Sequence, residues 1–277
     1  MAKVRLDTLL VEKGLAESRT KAQALIMAGQ VRVDGQVVIK PATSVAAEAG
    51  ITVDSGPKYV SRGGEKLEAA LDAFGVDVTG RVCADVGSST GGFTDCLRQR
   101  GAARVYAMDV GKGLLHWKLH TDPRVVVMEG TNARFVESLP ETVSLVTIDA
   151  SFISLKILLP VAKGWFAPPT PPPFSEIAKH PVGKMGGDEG GGIIALIKPQ
   201  FEAGRKETAK NKGVIRDPAV HRAVLNDVLT FAQVEGFAVR GLIRSPRLGP
   251  KGNVEFLAWL GAGEPDFNME NLVEKIV

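Results

Sequence analysis

Cysteine is nearly absent from this chain of 277 residues, with Cys83 and Cys96 the only two. Two are too few for a disulfide framework or a thiolate metal cluster. They fall in a predicted core strand and in the helix after it, so both are expected as reduced, buried thiols. Histidine is scarce as well, at four. His116 and His120 stand one helical turn apart, but no acid follows the first and no third ligand is apparent, so no metal is expected. Long uncharged apolar runs are also missing. The best stretch, 152–166, is broken by Lys156 and Lys163, which argues against a membrane-spanning helix. No apolar core of a secretory leader follows Met-Ala-Lys-Val-Arg-Leu-Asp, so a cytoplasmic protein with no membrane partner is expected. Nor is there a strong charge excess: the formal net charge is +3, with 23% charged residues. That balance permits an anionic partner such as RNA without demanding one.

What is present suits one medium domain and a small one, with 44% hydrophobic residues to build their cores. Residues 1–55 carry a complete pattern of their own. Leu6, Leu9 and Leu10 are spaced as one helical face, and Gly14 stands where a helix would end left-handed. Ser18 is a good N-cap for a second helix that turns Ala22, Leu25 and Ile26 inward and stops at Gly29. Val31-Arg32-Val33 and residues 36–39 read as a hairpin around Asp34-Gly35, and Ile51-Thr52-Val53 adds a strand. Lys3, Arg5, Arg19, Lys21, Arg32 and Lys40 fall at polar positions around this apolar set. Arg19 and Lys21 open a helix, where cations oppose the macrodipole and gain nothing locally. An anionic partner and a merely solvated charged face both fit that pattern.

After a linker at 56–62, residues 63–277 alternate helices with apolar strands near 82–86, 104–109, 125–128, 144–149, 193–198, 237–243 and 254–260. This predicts an α/β fold with a doubly wound, mostly parallel sheet and ligands at the carboxyl ends of its strands. Seven strands with two late ones close together fit a class I methyltransferase sheet whose last strand is antiparallel. The first strand runs into Asp85-Val86-Gly87-Ser88-Ser89-Thr90-Gly91-Gly92-Phe93, and the second ends on Asp109. Gly87 to Asp109 is about the spacing from a Rossmann-like turn to the carboxylate that holds a ribose. The dinucleotide fingerprint is not met, because Ser89 occupies its second glycine position. Asp85 would face a pyrophosphate badly and the ammonium of a methionine well, which points to S-adenosylmethionine. Gly87, Ser88, Gly91, Gly92, Phe93, Asp109, Asn132 and Asp149 complete the expected cofactor contacts, with residues 130–133 either bordering the adenine or forming an ordinary turn.

Four further residues share the ligand edge. Lys66 lies on the first turns of a helix, Asp149 ends the fourth strand, Lys198 ends the fifth and Glu255 opens the last. Removing the poorly acidic proton of a ribose hydroxyl asks for such a set, with one lysine as base or stabiliser and acids to orient the ammonium groups. Two ordinary strand-end ion pairs are the plain alternative. Both lysines are expected at the solvent-facing edge of the sheet, so alanine at either should leave the fold and cofactor binding intact, and of the two acids Glu255, at the far wall, should give the milder defect.

The N-terminal motif Leu6-Asp7…Gly14…Ser18-Arg19…Gly29…Val31…Gly35…Lys40-Pro41 resembles the S-four RNA-binding domain. The order Lys66, Asp85-x-Gly87-x-x-x-Gly91-Gly92, Asp149, Lys198-Pro199, Glu255 resembles the FtsJ-type ribose 2′-O-methyltransferases. Together they resemble the TlyA family, whose members are also called hemolysins. The resemblance implies a Lys66-Asp149-Lys198-Glu255 tetrad, S-adenosylmethionine as cofactor and a cytidine in ribosomal RNA as substrate, with ribosomal subunits as partners. Arg62, in the shared Tyr59-Val60-Ser61-Arg62-Gly63, joins the RNA-binding set. A cytolysin and a non-catalytic RNA-binding assembly factor are the alternatives. One departure from the family is a Pro/Gly-rich insertion at 167–192, expected to be a flexible excursion. Residues 204–213, rich in Lys and Arg, are expected to form a loop that could close over RNA.

Overall fold

The computed structural model describes residues 3–54, 56–166, 191–204, 207, 213–263 and 269–277. Residues 167–190 of the 167–192 insertion and most of the basic 204–213 segment lie outside these residues. The chain separates into two compact units, Met1–Lys58 and Tyr59–Val277.

The first unit contains β1 (Lys3–Arg5), α1 (Leu6–Glu12), α2 (Arg19–Met27), β2 (Val31–Val33), β3 (Gln36–Val37), β4 (Ser44–Ala46) and β5 (Ile51–Val53). Leu6, Leu10, Ala22, Ile26 and Val31 are fully buried in its core. Ser18 caps α2 by accepting the Lys21 N–H. Asp34 and Gly35 both have positive φ, at 49° and 83°, as the hairpin turn between β2 and β3 requires. The pair β1–β4 has no signal in the sequence, since three-residue strands show no period.

One buried residue changes the reading of the cations. Asp7 is inaccessible to solvent, and its carboxylate accepts hydrogen bonds from Arg5, Arg19 and Gln23. These donors hold it well below the usual carboxylate range, Arg5 most strongly. Arg5 and Arg19 therefore have a structural partner within the unit, although both stay about half exposed. Lys3, Lys21, Arg32 and Lys40 are exposed.

The second unit is a seven-stranded sheet with helices on both faces. Its elements are α3 (Gly63–Phe74), β6 (Val82–Val86), α4 (Gly92–Gln99), β7 (Arg104–Asp109), α5 (Trp117–His120), β8 (Val125–Glu129), β9 (Leu145–Ile148), α6 (Leu155–Lys163), β10 (Gly192–Ile197), α7 (Pro199–Glu202), α8 (Pro218–Val234), β11 (Ala238–Arg244), β12 (Phe256–Gly261) and α9 (Met269–Ile276). The strand order is β11-β12-β10-β9-β6-β7-β8. Strands β10 through β8 pair in parallel, while β12 is antiparallel to both its neighbours. The order reverses between β6 and β9, which opens a crevice at the carboxyl ends of those two strands. No described helix is long and apolar enough to cross a membrane.

Strand parity sorts the core. Val86, Val146, Ile148 and Ile197 face α6 and α8, whereas Cys83, Leu145, Leu196 and Leu257 face α3 and α4. Both cysteines are buried, and neither is in a disulfide. Tyr59 is buried as well and packs on Gly64, where a Cβ would collide with the ring. The Val60 N–H donates to Asp95 at 3.0 Å, so residues expected as linker are packed onto the second unit.

Parity also corrects the reading of Asp85. Two positions from Cys83, it points to the α4 side rather than off the strand end. It is fully buried and accepts hydrogen bonds from Thr94 Oγ1 at 2.6 Å and Thr147 Oγ1 at 3.0 Å. Its carboxylate supports the turn from beneath instead of facing a ligand. Burial pushes its pKa up to about 7, against the opposing hydrogen bonds from the two threonines. The folded chain thus holds a proton that the unfolded chain has released between about pH 4 and pH 7, so stability falls as pH rises through that window. Urea melts of Asp85→Asn should show a flatter pH dependence over pH 4–7 than the wild type; equal slopes would remove Asp85 as the source.

Candidate active site

Four strand ends meet at the crevice. Gly87 follows β6, Asp149 follows β9, Lys198 follows β10 and Glu255 precedes β12, which enters from this edge because it is antiparallel. Three adjoining clefts open here, and Gly87, Ser89 and Asp149 line all of them. Gly87 has φ 83°, and a Cβ on it would lie 2.8 Å from the Asp149 carbonyl oxygen. Only glycine lets the two turns approach this closely.

The first cleft could take a nucleoside, with a carboxylate on one wall and apolar side chains on others. Asp109 stands at its wall with Oδ2 accepting the Ser89 N–H at 2.8 Å and Oδ1 accepting the Gly111 N–H at 2.7 Å. Val110, Leu114, Ile153 and Leu158 supply apolar walls, and residues 131–133 close one side. Asn132 turns its side-chain oxygen to the Arg134 N–H at 3.2 Å. Glu129, not singled out in the sequence, holds the Gly113, Leu114 and Leu115 N–H groups and so fixes the loop that carries Leu114. Those N–H bonds hold its carboxyl below the usual range.

A second cleft is lined by Arg62, Lys66, Ser88, Gly92 and Phe93. A side chain on Gly92 would collide with Ser61 Oγ and with the Gly64 backbone, so this glycine sets the approach of α4 to α3. Gly91, expected among the cofactor contacts, lines none of the clefts. A Cβ there would strike the Leu119 and Leu115 side chains, so its role is to let α4 pack on the α5 region.

The third cleft is a chamber holding the four charged residues together. Lys66 Nζ lies 2.6 Å from Glu255 Oε2, a pair with only 9% and 1% side-chain exposure. Lys198 Nζ lies 2.6 Å from Asp149 Oδ1, with 9% and 23% exposure. Lys198 also donates to Ser151 Oγ at 3.0 Å and to the Asp149 carbonyl at 3.3 Å. Gln200 Nε2 donates to Glu255 Oε1 at 3.2 Å. The two lysines are therefore buried, not solvent-facing as a bare strand-end position implies. Helix α3 and strand β12 enclose one, and the turns after β9 and β10 enclose the other.

Ser151, Gln200 and Phe152 are not among the site residues expected from the sequence. Phe152 has φ 65° and 89% exposure, an uncommon backbone state for a bulky residue. Its ring centroid is 4.8 Å from that of Phe201, and both line the chamber. Among the described residues no cluster of three or more His, Cys, Asp or Glu could hold a metal ion. His116 caps α5 by accepting the Lys118 N–H on Nδ1.

The sequence profile of the FtsJ-like methyltransferase family matches residues 59–262, and that of the S4 domain matches residues 4–51. The chain is 44% identical over 262 residues to the 16S/23S rRNA (cytidine-2′-O)-methyltransferase TlyA of Mycobacterium tuberculosis, covering 93% of this chain and 90% of that protein. It is 39% identical over 261 residues to Hemolysin A of Brachyspira hyodysenteriae, covering 92% and 98%. A solved Streptococcus thermophilus protein that carries a hemolysin label superposes with a TM-score of 0.67 at 37% identity, covering 99% of this chain and 96% of that one. Family profile, relatives and a glycine-turned crevice with two buried lysine–carboxylate pairs agree: this chain belongs to the FtsJ-like methyltransferase family, in the TlyA group that joins that domain to an S4 domain.

Proposed function

We propose that this chain methylates the 2′-hydroxyl of a cytidine ribose in ribosomal RNA, in the cytoplasm, with S-adenosylmethionine as the methyl donor and ribosomal subunits as its partners. The observation that carries this reading is the chamber in which Lys66–Glu255 and Lys198–Asp149 face each other beside the nucleoside slot. S-adenosylmethionine, when bound, supplies an electrophilic methyl on a sulfonium. The residues present fit it. The Gly87 turn leaves room that a Cβ would fill, Asp109 offers a carboxylate to a ribose, and Val110 and Leu114 cover an adenine. Hydrogen bonds to such a carboxylate are worth roughly 1.5–3 kcal/mol each.

The chamber does the rest. Lys198 holds the acceptor oxygen in place of its long contact to the Asp149 carbonyl, stabilising the negative charge that develops on that oxygen as its proton passes to water. Asp149 fixes that ammonium and borders the nucleoside slot. Glu255 fixes Lys66 across the chamber. Phe152 and Phe201 present aromatic faces on which a base displaced from its stack can lie. The S4 unit supplies sequence-independent affinity for folded RNA through its exposed cations.

Tritiated methyl transfer to whole ribosomes, separate subunits and naked rRNA, followed by ribose analysis, tests the proposal. Label on a base, or none on any substrate, overturns it. The RNA role of the S4 unit is checked separately. Arg19→Glu would set an acid against Asp7, so the informative reversals are Lys21→Glu and Arg32→Glu. Together they should weaken RNA binding and flatten its salt dependence while leaving cofactor affinity unchanged; an unaltered salt slope would mean that these cations form only a solvated face.

A further inference from the structure

Lys198 and Lys66 are held in unequal ways. An ammonium has three N–H donors, and Lys198 finds three acceptors, two from Asp149 and one from Ser151 Oγ at 3.0 Å. Lys66 has Glu255 as its hydrogen-bond partner among the described residues. Ser151 is exposed and lines both the nucleoside slot and the chamber, so it stands at the boundary across which a methyl group must pass.

Its position is built from both sides. The left-handed Phe152 turns the chain immediately after Ser151. Three residues on, Glu202 of α7 accepts the Ser154 hydroxyl at 2.6 Å and the Leu155 N–H at 2.9 Å. The 149–155 segment is thus pinned to the 198–202 segment at two points, with Ser151 at the upper one.

The geometry points to Ser151 as a positioning residue for methyl transfer, a role that rests on the function proposed above. Its oxygen takes one N–H of Lys198 and the Asp149 carboxylate takes a second, so the third, now on a long 3.3 Å contact to the Asp149 carbonyl, is aimed for the acceptor oxygen. Asp149 alone cannot do this, because with that carbonyl contact given up its one remaining bond leaves the ammonium free to turn about the Cε–Nζ axis. With the serine oxygen gone, Lys198 keeps its charge partner and loses its aim.

The test compares wild type, Ser151→Ala and Ser151→Thr in single-turnover methyl transfer on saturating ribosomal substrate. Calorimetric S-adenosylmethionine affinity and RNA binding are measured alongside. Ser151→Ala should react about tenfold more slowly, with unchanged affinity for both ligands. Ser151→Thr, which keeps the hydroxyl, should restore the rate. An alanine variant with wild-type rate overturns the proposal, and so does a slow variant whose loss is all in ligand affinity. Failure of the wild-type enzyme to label ribose would instead sink the function itself.

Discussion

Lys198→Ala abolishes most methyl transfer, lowering single-turnover rate by about a hundredfold or more, the usual contribution of a general acid–base or electrostatic group. Its stability cost is small by comparison. The partner left behind, Asp149, has 23% side-chain exposure and can recover hydration. Cofactor affinity should stay near wild type, because the nucleoside slot is lined by Asp149 and not by Lys198. Single-turnover transfer, thermal melting and calorimetry on one preparation check all three statements. A near wild-type rate would exclude Lys198 from the chemistry.

The second large effect is at Glu255, and here the structure reverses the expectation of a mild defect. Glu255→Ala leaves the Lys66 ammonium beside a vacated position at 9% side-chain exposure. Breaking a buried ion pair from one side typically costs about 3–5 kcal/mol. The variant should therefore melt well below wild type and lose turnover together. Lys66→Ala should behave alike, because it strands an even more deeply buried carboxylate, with Gln200 as its remaining donor. The double variant Lys66→Met with Glu255→Leu removes both charges. It should regain much of the stability and none of the activity. If the single Glu255→Ala variant melts like wild type, the pair is not the buried unit described here.

The features legible in the sequence are those with a period or a fixed turn chemistry. Strands β6, β9 and β10 show as apolar runs, and parallel pairing makes each end at one edge, so the order of residues alone brings Gly87, Asp149 and Lys198 together. Asp34-Gly35 announces its own turn. The features that escape the sequence share a physical origin: a side chain's direction depends on what packs on the other side. Asp85 reads as a strand-end carboxylate, but parity with Cys83 sends it beneath α4 to Thr94. Arg5 and Arg19 read as surface cations because nothing local marks Asp7 as their buried partner. Lys66 and Glu255 are both recognisable, yet their contact spans 189 positions, and no local pattern reports how deeply such a pair is enclosed. Phe152 and Ser151 depend on one left-handed residue that no composition or spacing signals.

That span of 189 positions between Lys66 and Glu255 also has a kinetic meaning. Contacts so far apart along the chain must offset a large loop-closure entropy before they stabilise anything, which slows the folding steps that make them. The early helix α3 contributes one charge, and strand β12, lying between β10 and β11, contributes the other. Until β12 is inserted the sheet is split, Lys66 is hydrated and the chamber has no far wall. Competence for chemistry is thus expected only once β12 is in place, because a chain without that strand lacks the wall that holds Lys66.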